Sequence, residues 1–79
     1  MGKMTQTQDP PGHIRVVVNG FEETVSPEFS IYDLMARLRE GDRDLIVEHN
    51  GRFVFPARYK TTRLSPGDRI EMINPNFGG

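Results

Sequence analysis

The chain has 79 residues, no cysteine and a formal net charge of −1. This length predicts one domain near the lower limit for unaided folding, and the charge argues against a nucleic-acid-binding protein, which normally carries a basic excess. Without thiolates, and with His13 and His49 far apart, we predict no metal site and interpret both histidines as ordinary surface imidazoles. No apolar run approaches the roughly 20 residues that span a bilayer, so we expect a cytoplasmic protein without a membrane segment.

The N-terminal part contains a polar stretch and then a hairpin pattern. Residues 1–12 are polar and close on Pro10-Pro11-Gly12, which predicts a disordered leader. Two short runs rich in β-branched residues follow, with Asn19-Gly20 between them. Asn-Gly tolerates the positive φ angles of a type I′ turn, so the pattern predicts a β-hairpin. Because side chains alternate along a strand, Ile14, Val16 and Val18 should lie on one face of the first strand.

A change of period predicts a helix after Ser30. Its apolar stripe, at positions i, i+3, i+4 and i+7, consists of Ile31, Leu34, Met35 and Leu38. Ser30 is a favourable N-cap, and Asp33 imitates the acidic member of a capping box. We expect Phe29 to pack back onto the first turns, and Gly41 to end the helix.

The second half repeats the hairpin pattern around Asn50-Gly51. Leu45 and Val47 alternate inward, which places Ile46 outward, and the return strand runs from Phe53 to Phe55 before Pro56 ends it. In so small a domain we expect these two phenylalanines to belong to the core. An irregular segment with one short helical turn, a turn over 65–68 and a last strand complete the pattern; Ile70 and Met72 would face inward and Ile73 outward.

The order strand, strand, helix, strand, strand, strand predicts an α+β domain of the β-grasp, or ubiquitin-like, type, in which a mixed sheet packs against one main helix. The last strand needs a long-range partner, and the first strand is the natural one. We therefore predict a β-grasp domain over 13–73, followed by a flexible tail over 74–79 that carries the C-terminal Gly-Gly.

The side chains offer little catalytic chemistry. No phosphate-binding glycine motif is present, and the Ser65 to Asp68 stretch is explained by turn geometry. The acidic residues at 42 and 44 are interpreted as solvated loop charges. An exposed Lys60 is protonated at neutral pH and therefore a poor nucleophile. These observations predict that the chain is not itself an enzyme.

The C-terminus provides one unusual group, the α-carboxylate of Gly79. A free carboxylate is ionised at neutral pH and is a poor electrophile, so it must be activated, for example as a mixed anhydride with AMP, before it can act as an acyl donor. Without a Cβ, Gly78 and Gly79 could pass through a narrow channel of an activating enzyme. We therefore interpret the two glycines as a threaded, reactive tail.

The stretch from Asn50 to Ile73, which runs into the terminal Gly-Gly, resembles the bacterial sulfur-carrier proteins of the ThiS (thiamine thiazole) and MoaD (molybdopterin) group, which are relatives of ubiquitin. The resemblance covers roughly Ile14 to Gly79. It implies that Gly79 is adenylylated and converted to a thiocarboxylate that donates sulfur in cofactor biosynthesis, while Gly78 gives clearance in the channel. Asn50-Gly51 followed by Pro56 is closer to the thiazole carrier, and Pro75 in the tail leans towards the molybdopterin carrier.

The resemblance also implies partners. These are an adenylyltransferase of the ubiquitin-activating type, which uses ATP, a sulfurtransferase or persulfide donor, and a sulfur-accepting synthase similar to thiazole synthase. No bound cofactor is expected in the chain itself. Three alternatives remain open, because a shared fold does not determine function: a carrier similar to the small subunit of molybdopterin synthase, a ubiquitin-like modifier that forms amides with lysines, and a non-covalent β-grasp binding module.

One surface prediction follows from strand alternation. If Ile70 and Met72 face the helix, Ile73 and Ile46 lie on the opposite face beside the tail. Together with Phe77 they could form an apolar patch that docks the domain on its activating enzyme, although scattered surface hydrophobic residues are also normal.

Overall fold

The computed structural model describes residues 12–38 and 45–75, which form one mixed sheet with a helix against one face. The elements are β1 (Ile14–Val18), β2 (Phe21–Val25), α1 (Ile31–Leu38), β3 (Ile46–His49), β4 (Arg52–Phe53), a 3-10 helix (Pro56–Arg58) and β5 (Arg69–Ile73). The sheet order is β2-β1-β5-β3-β4; β1 and β5 are parallel, and the other neighbours are antiparallel. The predicted α+β, β-grasp architecture is confirmed, including the pairing of the last strand with the first.

Both Asn-Gly pairs form the predicted hairpin turns. The φ angles are 49° and 87° at Asn19 and Gly20, and 53° and 84° at Asn50 and Gly51. Positive φ at both central positions is the geometry of a type I′ turn, whose twist matches that of the flanking strands. The predicted turn over 65–68 is also present, with the Asp68 amide donating to the Ser65 carbonyl at 3.0 Å.

The start of α1 satisfies every donor that a helix end leaves open. Ser30 and Asp33 form the predicted capping box: the Asp33 amide donates to Ser30 Oγ at 3.2 Å, and the Ser30 amide donates to Asp33 Oδ2 at 2.9 Å. The amides of Ile31 and Tyr32 donate to carbonyls of the segment after the 3-10 helix, at 2.9 and 3.0 Å. The helix start is therefore attached to the irregular segment as well as capped locally. The predicted end at Gly41 lies outside the described residues.

The core lies between α1 and the inner face of the sheet. Its buried apolar side chains are Val16, Val18, Val25, Ile31, Leu34, Met35, Leu45, Val47, Val54, Leu64, Ile70 and Met72. Ile14, Phe29, Leu38 and Tyr59 pack against this cluster and are partly buried. The inward positions predicted for the strands and the helix are confirmed.

The prediction that Phe53 and Phe55 belong to the core is wrong, because their side chains are 51% and 65% exposed. β4 contains only two residues and lies at the edge of the sheet. Phe53 is paired with Glu48, so its ring is on the outer face, where no second layer of the described chain covers it.

The interpretation of His49 as a surface imidazole is also wrong. Its side chain is only 22% exposed, and Nε2 lies 2.6 Å from Asp68 Oδ2. The reason is strand alternation: His49 follows Val47 on the inner face and is paired with Ile70 of β5. This position places the imidazole beside the turn that precedes β5.

Candidate functional site

The strand that leads to the C-terminal tail is the central strand of the sheet. β5 lies between β1 and β3 and is followed by Asn74 and Pro75, the last described residues. The predicted site residues Phe77, Gly78 and Gly79 lie outside the described part of the chain. The structure therefore describes the base from which the tail leaves the domain.

The two hairpin turns hold β5 through their asparagine side chains. Asn19 Oδ1 accepts from the Met72 amide at 2.8 Å, and Asn19 Nδ2 donates to the Met72 carbonyl at 3.3 Å. Asn50 Oδ1 accepts from the Arg69 backbone amide at 2.8 Å. The backbone amide of Asn50 also donates to the Arg69 carbonyl at 2.7 Å. The sequence indicated these residues only as turn formers. Their second role is to fix both ends of the strand that carries the tail.

Asp68, just before β5, is the centre of a hydrogen-bonded group that we call the buried carboxylate cluster; its other members are Ser65, His49 and Asn50. Its Oδ2 accepts from the Ser65 amide at 2.8 Å and lies 2.6 Å from His49 Nε2, while Oδ1 accepts from Asn50 Nδ2 at 3.0 Å. Burial raises the pKa of Asp68, but the hydrogen bonds from His49, Asn50 and Ser65 together outweigh this effect and hold the pKa below its ordinary value. An ionised Asp68 requires a proton on His49 Nε2, which then donates. The cluster ties the turn before β5 to the β3–β4 turn.

An apolar pair lies on the outer face, close to the point where the tail begins. Ile46 of β3 and Ile73 of β5 are directly opposite each other in the antiparallel register. Ile73 is 44% exposed and Ile46 is half-buried. The predicted outward orientation is confirmed, and the register adds that the two side chains are cross-strand neighbours.

The next row of the same face is acidic. Glu48 and Glu71 are opposite each other, two residues further along β3 and β5. Neither carboxylate forms an ion pair with another residue that the structure describes. Since like charges directly opposite on a sheet destabilise the pairing, this row does not contribute to the stability of the isolated domain. The outer face thus presents isoleucines nearest the tail and carboxylates beyond them.

Of the other sequence candidates, the structure describes Lys60, which contacts an aromatic ring. The ammonium group of Lys60 lies 4.8 Å from the centroid of the Tyr32 ring, which is a cation–π contact. Within residues 12–38 and 45–75, no group of three or more potential metal ligands comes together. The helix found in these ranges is too short to cross a membrane. The acidic residues at 42 and 44 lie outside the described residues.

The five-stranded mixed sheet and the helix against it define a small ubiquitin-like domain. Its structure is similar to a de novo designed protein based on ubiquitin, with a TM-score of 0.53, 28% identity and coverage of 87% of this chain and 96% of that one. It is also similar to the crystal structure of the thiamine biosynthesis protein (ThiS) from Geobacter metallireducens, with a TM-score of 0.72, 25% identity and coverage of 84% of this chain and 100% of that one.

The ThiS family model matches residues 11–79, and the chain belongs to the ThiS family. A search of curated proteins gives no match.

Proposed function

We propose that the chain is a sulfur carrier for thiamine biosynthesis and that the α-carboxylate of Gly79 carries the sulfur. Two findings support this function. The ThiS family match runs through Gly79, and a structural neighbour with a TM-score of 0.72 is named a thiamine biosynthesis protein. The observation that carries the proposal is that β5, the central strand of a ubiquitin-like sheet, directly precedes the C-terminal residues in the chain.

The proposed chemistry proceeds at the terminal carboxylate. A carboxylate oxygen attacks the α-phosphorus of ATP in the partner adenylyltransferase, pyrophosphate leaves, and an acyl-adenylate forms. A persulfide sulfur supplied by a sulfurtransferase then attacks the carbonyl carbon, and AMP leaves with the electrons of the broken C–O bond. A thiol reduces the resulting acyl disulfide and releases the thiocarboxylate. The thiocarboxylate donates its sulfur to a synthase that forms the thiazole ring.

The described domain fits the role of a handle for this chemistry. Asparagines of both hairpin turns hydrogen-bond to β5, at Arg69 and at Met72. The strand that precedes the tail is therefore fixed within the sheet. We propose that Ile46 and Ile73, with Phe77 of the tail, dock the domain on the adenylyltransferase while Gly79 reaches its nucleotide.

Removal of the two glycines tests the function. Deletion of Gly78 and Gly79 is expected to leave the free energy of unfolding nearly unchanged, because two terminal glycines have no side chains to bury. ATP–pyrophosphate exchange with the adenylyltransferase is expected to disappear. Replacement of both glycines by alanine is the matched control: it keeps the carboxylate but adds two Cβ atoms, so exchange should fall without being abolished.

Intact mass spectrometry of the protein from its native cells gives an independent test. The thiocarboxylate form differs from the free acid by one sulfur in place of one oxygen. Sulfur transfer supported by the truncated chain would refute the carrier function. Conjugates of the chain with other proteins, linked through amides, would favour a ubiquitin-like modifier instead.

A further inference from the structure

An exposed aromatic pair lies at the β4 edge of the sheet, next to β3, which carries Ile46 of the pair that we propose for docking. The rings of Phe53 and Phe55 are in edge-to-face contact, with centroids 4.8 Å apart and planes at 87°. Both rings are more than half exposed. They line an open groove of ≈ 330 Å³ that also includes Arg52 and Arg58. Exposed apolar patches with polar rims are typical of interaction sites.

The charged side chains that line this groove are arginines, so its charge is positive. None of its lining residues is an aspartate or glutamate. Arg52 and Arg58 form no ion pair with any residue in the described ranges, whereas the imidazole of His49, which also lines the groove, is held by Asp68. Guanidinium groups bind carboxylates through bidentate hydrogen bonds. The groove therefore combines apolar surface with two available cations.

The backbone that presents these side chains is held by hydrogen bonds. The Phe55 carbonyl accepts from the Arg58 amide at 2.8 Å, which forms the 3-10 helix. The Arg58 carbonyl accepts from the Thr62 amide at 3.0 Å and from Thr62 Oγ1 at 2.8 Å. A partner that binds here does not have to order a flexible loop, which lowers the entropic cost of binding.

We propose that this groove is a second protein-binding site, and that its occupant is an acidic segment of a partner protein with a large apolar side chain next to one or more carboxylates. The apolar side chain would contact the Phe53–Phe55 pair, and the carboxylates would pair with Arg52 and Arg58. A nucleic acid fits less well, because two rings at 87° do not offer successive parallel faces for base stacking and the whole chain carries a net charge of −1. The site does not depend on the chemistry proposed for Gly79.

A selection from random dodecapeptides displayed on phage, with the folded full chain as bait, tests this site. The selected peptides are expected to be enriched in aspartate or glutamate next to an aromatic or large aliphatic residue. Their synthetic forms should lose at least tenfold in affinity for Arg52→Glu, Arg58→Glu and Phe55→Ser. The matched controls are Arg63→Glu, with the same charge change outside the groove, and Phe21→Ser, since Phe21 is a 72% exposed phenylalanine at the β1–β2 turn.

Several results would overturn the proposal. These are a selection that yields no peptide, peptides without acidic enrichment, and peptides that bind the groove variants as tightly as the controls. Displacement of a selected peptide by a pyrimidine dodecanucleotide would indicate a nucleic-acid site. Self-association of the wild-type chain in sedimentation, lost in Arg52→Glu, would show that a second copy occupies the groove. Because none of these assays uses ATP or sulfur, their failure leaves the carrier function unaffected.

Discussion

Replacement of Asp68 by asparagine tests whether the buried carboxylate cluster stabilises the domain. The carboxylate receives three hydrogen bonds, from the Ser65 amide, Asn50 Nδ2 and His49 Nε2. A hydrogen bond to a charged group contributes about 1.5–3 kcal/mol. After allowance for the desolvation of Asp68, which is 8% exposed, we expect the substitution to lower the free energy of unfolding by about 2–4 kcal/mol. A domain of this size has about 3–9 kcal/mol in total, so the loss should be large.

The pH dependence gives a second measure of the same cluster. Because hydrogen bonds hold the pKa of folded Asp68 below its ordinary value, its stabilising contribution is fully present above the unfolded-state pKa of about 3.9. The contribution is lost as the pH falls through the lower folded-state pKa. The difference in unfolding free energy between wild type and Asp68→Asn should therefore shrink below about pH 4.

Urea denaturation at several pH values measures this difference. Glu22→Gln is the control, because Glu22 is an exposed carboxylate with only a 3.9 Å ion pair to Arg15, and it should change stability by at most about 0.5 kcal/mol. A wild-type midpoint for Asp68→Asn at neutral pH would refute the reasoning. A difference that stays constant down to about pH 2.5 would show that the ionised carboxylate is not the source of the stability.

Three further substitutions test the helix, the anchoring of β5 and the docking face. Ser30→Ala removes the N-cap acceptor and should lower the unfolding free energy by about 1 kcal/mol in chemical denaturation; an unchanged midpoint would place the helix start elsewhere. Asn19→Gly keeps the positive φ but removes both hydrogen bonds to Met72, so a loss of about 1–2 kcal/mol is expected, and no loss would mean that the bonds do not anchor β5. Ile73→Asp should weaken binding to the adenylyltransferase, measured by calorimetry, by about tenfold or more, because it buries an unpaired charge in the interface. The control is Tyr32→Asp on the helix side, which should not weaken binding. Equal affinities of the wild type and Ile73→Asp would exclude this face as the docking surface.

The fold could be predicted from the sequence because its decisive patterns are local. Each Asn-Gly pair specifies a turn within four residues, and Ser30 with Asp33 specifies the helix start within one turn. The alternation of apolar residues then determines which strand face enters the core. The predicted helix and five strands leave few arrangements that bury Ile70 and Met72, so the pairing of β5 with β1 could also be predicted.

The contacts that were missed depend on residues far apart in the chain. Asp68 and His49 are separated by 19 positions, and Asn19 reaches Met72 across 53 positions. Nothing near a turn aspartate in the sequence indicates which imidazole will approach it, because that depends on the order of the strands. The exposure of Phe53 was missed for a related reason: composition favours a buried phenylalanine, but burial requires a second layer over the outer face.

The outer face also indicates why the sequence departs from what stability alone would favour. Opposite charges at positions 48 and 71 would stabilise the β3–β5 pair, yet both residues are glutamates in direct register. The neighbouring row leaves Ile73 44% exposed, and the exposed part of its apolar surface does not stabilise the isolated domain. Both features can become favourable when a partner covers the face, since the isoleucines would then be buried and the carboxylates could meet basic groups. The face next to the start of the tail is therefore better explained by recognition than by folding, which agrees with the proposed carrier function.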